Sequence, residues 1–411
     1  MCVNNKKIAP IDKLYIWTFL ISFVVFLYIS FDAFWLGELS KFLGVDIQNP
    51  LQRYNTIARL LIITTSLLVF HRKNNIKNLT FLSKVLFIFS IYLLCSSLFT
   101  KDFRRTMDYL DTYMISSLWI YIYLFAYTLR LRYDIDKYIP KFIIAFSILS
   151  IVLFLKNYYL NNQIGHIGWS YIESYYAIAL IPAITLLRNK VKYILFFVII
   201  ICSIIAAKRT GLITCIFAII LYVLMIGKDF SSKIKTILAG SALLLGLFFV
   251  LNQFMAEEIA TITERIENIE EDDGSGRGEM YSGLYQEITN NPDPASFFFG
   301  KGHNEVINSK SSLGFSAHNE FLEVAYDYGV IGFIIFLFIF IAILRTYTKT
   351  KTHQHKVAIF LSFIIFFTFS LTSHTILNTT NIVFLCMFWG YIDAKNKIVL
   401  FVRKNNSIKY K

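Results

Sequence analysis

The stretch Ser316-Ala317-His318-Asn319-Glu320-Phe321-Leu322-Glu323 runs through Gly329-Val330-Ile331-Gly332 into the apolar run Phe333-Ile334-Ile335-Phe336-Leu337-Phe338-Ile339-Phe340. It sets a histidine and two carboxylates against a segment that reads as a membrane span. Ionisable groups in such a place are costly and usually functional. The fold is therefore expected to be one in which apolar helices cross a bilayer and a polar segment leads into one of them.

The rest of the chain points the same way. Of its 411 residues 56% are apolar, with 40 Phe and 25 Tyr, and the mean hydropathy is +0.56. That exceeds what a soluble core of this length needs. A span takes roughly 20 mainly apolar residues. Candidates lie near 14–36, 54–70, 81–99, 109–129, 142–160, 169–187, 191–207, 209–227, 234–251, 329–345, 357–372 and 376–393. The expected class is an all-α integral membrane protein with about 12 transmembrane helices. The first span lacks a small-residue cleavage site behind it and is long for a signal sequence, so it reads as a retained helix.

Short cytoplasmic loops collect Lys and Arg. With the N-terminus inside, every inner connection is basic, from Lys6, Lys7 and Lys13 through Arg130, Arg132, Lys137 and Lys141 to Lys395, Lys397, Arg403 and Lys404. Both termini are then expected in the cytoplasm. The net charge of +13 is accordingly a topology signal and implies no nucleic acid. The five cysteines are scattered, with no CxxC pair, and read as small core hydrophobes.

One polar segment interrupts the succession of spans. It divides the chain into a bundle at 1–251, an outward-facing loop at 252–328, three final spans at 329–393 and a basic cytoplasmic tail at 394–411. Ala256–Glu271 repeats Ile259, Ile262, Ile266 and Ile269 at helical spacing and reads as an amphipathic helix. Gly274-Ser275-Gly276 reads as a break, followed by a helix from about Gly278 to Thr289 that Asn290-Asn291-Pro292 closes. Phe297-Phe298-Phe299-Gly300-Lys301-Gly302-His303 then reads as an apolar run with a glycine turn. A loop of this length with regular helices suits a folded lid over a cavity.

The order His-Asn, nine residues, Gly, two residues, Gly is met by His318-Asn319, Gly329 and Gly332. It resembles the signature of the O-antigen polymerase and O-antigen ligase family. Gly274-Ser275-Gly276-Arg277, Pro292 and Gly300-Lys301-Gly302 look like further elements of that family's outer loop, and Lys208-Arg209-Thr210-Gly211-Leu212 looks like its arginine-containing element at a span edge. Two departures are Tyr281, where the family often has Trp, and Ile213, where the ligase type has Leu.

The resemblance implies a GT-C-like fold with one large helical outer loop before the last three helices. It also implies a bacterial inner-membrane enzyme that moves a glycan from an undecaprenyl-diphosphate carrier, with no metal and no cofactor. Donor and acceptor glycans and membrane lipid are the implied partners, with a chain-length regulator and a flippase beside them. Without a metal, the charge that develops on the leaving diphosphate must be met by fixed cations, and arginine forks onto phosphate oxygens. Arg209 and Arg277 are the candidates, with Lys208 behind them. His318 is the candidate base for the acceptor hydroxyl, since its imidazole titrates near neutrality. Asn319 or Glu320 would orient it.

Weaker candidates are the outer pair Arg104 and Arg105, for phosphate or an anionic sugar, and Glu173, among Trp169, Tyr171, Tyr175 and Tyr176, for sugar. Each candidate has a plainer reading. Arg209 can snorkel to the interface, Arg277 can cap its helix, the rings near Glu173 fit an interfacial aromatic belt, and Gly329 and Gly332 can serve close helix packing. His353 and His355, without further ligands, do not make a metal site.

Among functions, a polymerase joining lipid-linked repeats into a surface polysaccharide is favoured by the wording around His318 and Arg209. A ligase that moves finished glycan onto lipid A-core or another acceptor is the alternative. A transporter or flippase would show matched broken spans in two halves, which this chain does not.

Overall fold

The structure is a computed structural model. It describes residues 9–43, 52–71, 79–97, 106–163, 173–188, 190–206, 209–226, 273–291, 293–312, 316–373 and 382–409, with isolated positions besides. The described residues are helical, without strands. In chain order the helices are α1 (Pro10–Leu43), α2 (Gln52–His71), α3 (Phe81–Ser97), α4 (Thr106–Arg132), α5 (Ile139–Gln163), α6 (Glu173–Ala179), α7 (Ile181–Ile184), α8 (Val191–Ile205) and α9 (Arg209–Ile226). They continue with α10 (Asp273–Thr289), α11 (Pro294–Phe299), α12 (Glu320–Lys349), α13 (His353–Thr372) and α14 (Val383–Lys409).

Among the described residues six segments are long and apolar enough to cross a membrane: Pro10–Ser30, Tyr54–His71, Tyr113–Arg132, Ile139–Tyr159, Glu320–Lys349 and His353–Thr372. Phe81–Ser96, Ser174–Ile184, Val191–Ile205 and Thr210–Ile226 are shorter apolar helices. Trp17, Ile21, Ile57, Leu60, Ile148 and Val152 are exposed, as helices facing lipid require. The chain is a multi-pass membrane protein. The span expected at 234–251 and the amphipathic helix expected at 256–271 lie outside the described residues.

Two expectations are corrected. The single helix anticipated at 169–187 is two, with a turn at Leu180, because Pro182 has no N–H to continue the ladder. The helix anticipated from about Gly278 begins at Asp273 and runs through Gly274-Ser275-Gly276. Glycine costs only about 1 kcal/mol per interior position relative to alanine, so three glycine-rich residues at a helix start do not break it.

The described chain forms two compact units, residues 1–139, 280–351 and 370–411 in the first and 140–279 and 352–369 in the second. In the first, α14 lies along α4 with Gly390 against the Tyr123 carbonyl, an approach that a Cβ would obstruct. Phe19 stacks on Phe125, Phe23 meets Phe384 edge-on, and Trp119 and Trp389 are fully buried.

Polar groups gather where helix ends meet. Asp136 pairs with Arg130 at 2.9 Å and Lys395 at 3.0 Å and accepts the Tyr391 hydroxyl at 2.9 Å. Burial raises the Asp136 carboxyl, yet these partners, Lys395 foremost, hold it below the ordinary aspartate range. Asp12 accepts from Tyr133 and pairs with Arg132 at 3.7 Å, while Arg132 also donates to the Val69 carbonyl. Asp393 accepts from Thr80 and from Tyr123. The start of α1, the end of α2, the start of α3 and the end of α4 thereby share one end of this unit, as alternating spans require.

In the second unit, Phe154, Cys202 and Ala206 form a buried cluster, and Phe196 meets Tyr222 edge-on at 5.4 Å. His353 Nε2 donates to the Met225 carbonyl at 3.0 Å, and Gln354 donates to Thr185 at 2.8 Å. The start of α13 is thus tied to the ends of α7 and α9.

Candidate active site at a broken helix

Helix α12 is two helices joined at one residue. Gly329 stands at φ 65 and ψ −173, a conformation open essentially to glycine. The segment before it, Glu320–Tyr328, carries the polar groups. The segment after it is the apolar run.

The start of α12 is built by His318-Asn319. Asn319 is the N-cap, its side-chain oxygen accepting from the N–H of Phe321 at 3.1 Å and of Leu322 at 3.3 Å. Such a cap contributes about 1 kcal/mol. His318 precedes it in the left-handed region, φ 52, which histidine adopts more readily than most residues. The backbone N–H of His318 donates to the Glu323 carboxylate at 3.0 Å. Glu323 therefore reaches back one turn to fix the histidine's main chain, in the manner of a capping box shifted by one residue.

Glu320, Glu323 and Asp327 are all 0% exposed. Buried carboxylates need partners. Asp327 accepts from the N–H of Asn304 at 2.7 Å and of Val306 at 3.1 Å, closing the short 3-10 turn at Glu305–Asn308.

The Gly300-Lys301-Gly302 turn sits on the break itself. Lys301 N–H donates to the Tyr326 carbonyl at 3.1 Å and Gly302 N–H to the Asp327 carbonyl at 2.9 Å. Gly300, at φ 85, leaves no room for a Cβ, which would fall on the Asp327 carbonyl. A Cβ on Gly329 would fall on the backbone of Phe298 and Gly300. The two motif glycines thus pack main chain against main chain. Tyr92 of α3 donates to the Tyr328 carbonyl at 2.6 Å, and Gly332 makes room for its ring.

Residues between Met280 and Ser312 pack against this joint. Leu284, Val306, Ala317 and Tyr326 form a buried core, with Met280, Tyr281 and Ile288 packed on it. Glu287 of α10 accepts from the Ser311 N–H at 3.1 Å, the Ser311 hydroxyl at 2.7 Å and the Tyr326 hydroxyl at 3.0 Å, and pairs with Lys301 at 3.7 Å. Lys301 lies 4.0 Å over the Tyr326 ring. Burial raises the Glu287 carboxyl, but the hydrogen bonds from Ser311 and Tyr326 and the Lys301 charge outweigh it and hold the group low. Asp293 caps α11 through the N–H groups of Ala295 and Ser296.

Of the residues singled out in the sequence, His318, Asn319 and Glu320 come together at the start of α12. Arg277 is half-buried early in α10. Arg209 is the first residue of α9 and Glu173 the first of α6, with their side chains outside the described residues, as are Lys208, Arg104 and Arg105 altogether. Sequence reasoning passed over Asp327, Glu287, Tyr92 and His303. The one available signal was the neighbourhood of His303 and the glycine turn.

Residues 194–337, about a third of the chain, match a family model described as O-antigen ligase. The match begins within α8, takes in α9 and α10, and ends at Leu337, past the break in α12. No curated protein matches the chain.

Proposed function

We propose that this chain belongs to the O-antigen polymerase and ligase family and is a membrane glycosyltransferase that joins undecaprenyl-diphosphate-linked oligosaccharide repeats into a surface polysaccharide. The observation that carries the reading is the junction at His318, where the Glu323 carboxylate holds the histidine's backbone N–H one short helix away from the break at Gly329.

In the proposed step the acceptor hydroxyl attacks the anomeric carbon of the donor. The carbon–oxygen bond to the diphosphate breaks, and the lipid diphosphate leaves with the electron pair. His318 takes the hydroxyl proton, a role open to a histidine imidazole. Asn319 and Glu323 hold it by fixing the turn it stands on. Arg209 and Arg277 are the cations proposed for the diphosphate, each to be tested by itself. The lid, from 252 to 328, faces the outer side of a bacterial inner membrane, with both termini in the cytoplasm.

The second reading is the ligase, which the description of the matching family favours. Deletion of the gene in its host separates the two, with surface glycans resolved on a gel and lipid-linked glycans by mass spectrometry. A single repeat on the acceptor with no ladder is the polymerase outcome. Long polymer accumulating on the lipid carrier, with none at the surface, is the ligase outcome and overturns the first reading.

A further inference from the structure

We propose that His303 is a second histidine of the site, presenting its Nε2 to a hydroxyl of the glycan, with Tyr328 as its positioning residue. This rests on the glycosyl-transfer reading.

The main chain on both sides of His303 is pinned to the end of the polar half of α12. Gly302 donates to the Asp327 carbonyl and Asn304 to the Asp327 carboxylate, so the residue between them has little freedom. Its Nδ1 meets the hydroxyl of Tyr328. Tyr328 is itself 1% exposed, its carbonyl taken by Tyr92 and its hydroxyl in contact with Ser116 of α4.

The proposal takes the tautomer in which Nδ1–H faces the Tyr328 oxygen and Nε2 keeps its lone pair, and the two amide variants below test that choice. Among the described residues Nε2 has no partner, and His303 is half-buried. A hydrogen-bond acceptor with one open direction is what a sugar hydroxyl needs.

The two histidines divide the work. His318 precedes the first residue of the segment Glu320–Tyr328 and His303 is held against its last, about 13 Å along the helix axis. That is the reach of an oligosaccharide rather than one ring. Burial pushes the His303 imidazole down to about 4. At neutral pH it is a weak base, poorly matched to proton transfer. It accepts a hydrogen bond and orients, while His318 takes the proton.

The test uses the full-length protein in nanodiscs and the diphosphate-linked oligosaccharide extracted from the native host. KM and kcat for elongation are measured for wild type, His303→Gln and His303→Asn, with melting temperatures alongside. Gln sets an amide oxygen where Nε2 stands and gives up the Nδ1 donor. Asn keeps a donor at Nδ1 and gives up the outward acceptor. The expected result is a rise in KM of about tenfold for His303→Asn, the size of one hydrogen bond, with kcat nearly kept and His303→Gln close to wild type. Rescue by Asn and loss in Gln, equal loss in both, or no change in either overturns the assignment. If wild type elongates nothing, the transferase reading falls. Binding of the same oligosaccharide to the three proteins then decides for His303, weaker binding by Asn alone supporting it and equal binding overturning it.

Discussion

At the scale of single residues, position and chemistry separate within one motif. Asn319 gives its oxygen to two helix N–H groups. Asn319→Ala is expected to cost about 1 kcal/mol by thermal melting and to lower activity only as far as the turn loosens. His318→Gln is expected to abolish transfer in membranes that hold normal amounts of protein, and retained activity would remove it as the base. Arg209→Lys is expected to cost about a hundredfold or more in turnover, because a point charge does not reproduce a guanidinium fork. Unchanged turnover would remove Arg209 from the diphosphate. The asparagine's pairing with the histidine was legible in the sequence as spacing. The left-handed turn at His318 was not, since the modest preference of histidine for that region does not single out one position.

At the scale of elements, the lid and the broken helix hold each other. Asp327→Asn replaces one acceptor oxygen with a donor facing a backbone N–H. A loss of about 2 kcal/mol in lid stability is expected, read as faster proteolysis between α10 and α12. Two titrations act in the same direction. Glu287 is held low in the folded lid, so its contribution is present above the ordinary glutamate range and is lost as pH falls through its depressed value. His303 is held near 4 against an ordinary 6.5, so the unfolded lid binds the extra proton and stability falls as pH drops from 6.5 toward about 4. Protease resistance of the lid is therefore expected to decline across that range, and His303→Gln to flatten the upper part of the decline. A decline that His303→Gln leaves unchanged would assign it to other groups. The end of α10 at Thr289 was readable from the Asn290-Asn291-Pro292 stop. Where α10 begins was not, because glycines at a helix start cost little and the gain comes from packing Leu284 on Val306 and Tyr326.

At the scale of the whole molecule, apolar runs and basic connections made the membrane class readable. They could not show that Pro182 would divide one of those runs into two helices. The proposed orientation predicts that reporter fusions at either terminus behave as cytoplasmic, and that a tag beside the exposed Lys310 is reached from outside intact cells. A tag there that reacts only after lysis would invert the topology and with it the side on which the lid works.

The backbone contact between Gly300 and Gly329 has a consequence for mutational tolerance. A side chain at Gly300 would land on the main chain of Asp327 and Tyr328, and one at Gly329 on the main chain of Phe298 and Gly300, so neither position can be repaired by trimming a neighbouring side chain. In a saturation library both should be as intolerant as any base or clamp, although neither touches a sugar. Loss of function at a signature position therefore mixes two populations, residues that let the main chain fit and residues that act on substrate. A screen on this protein sorts them only when abundance is scored beside activity.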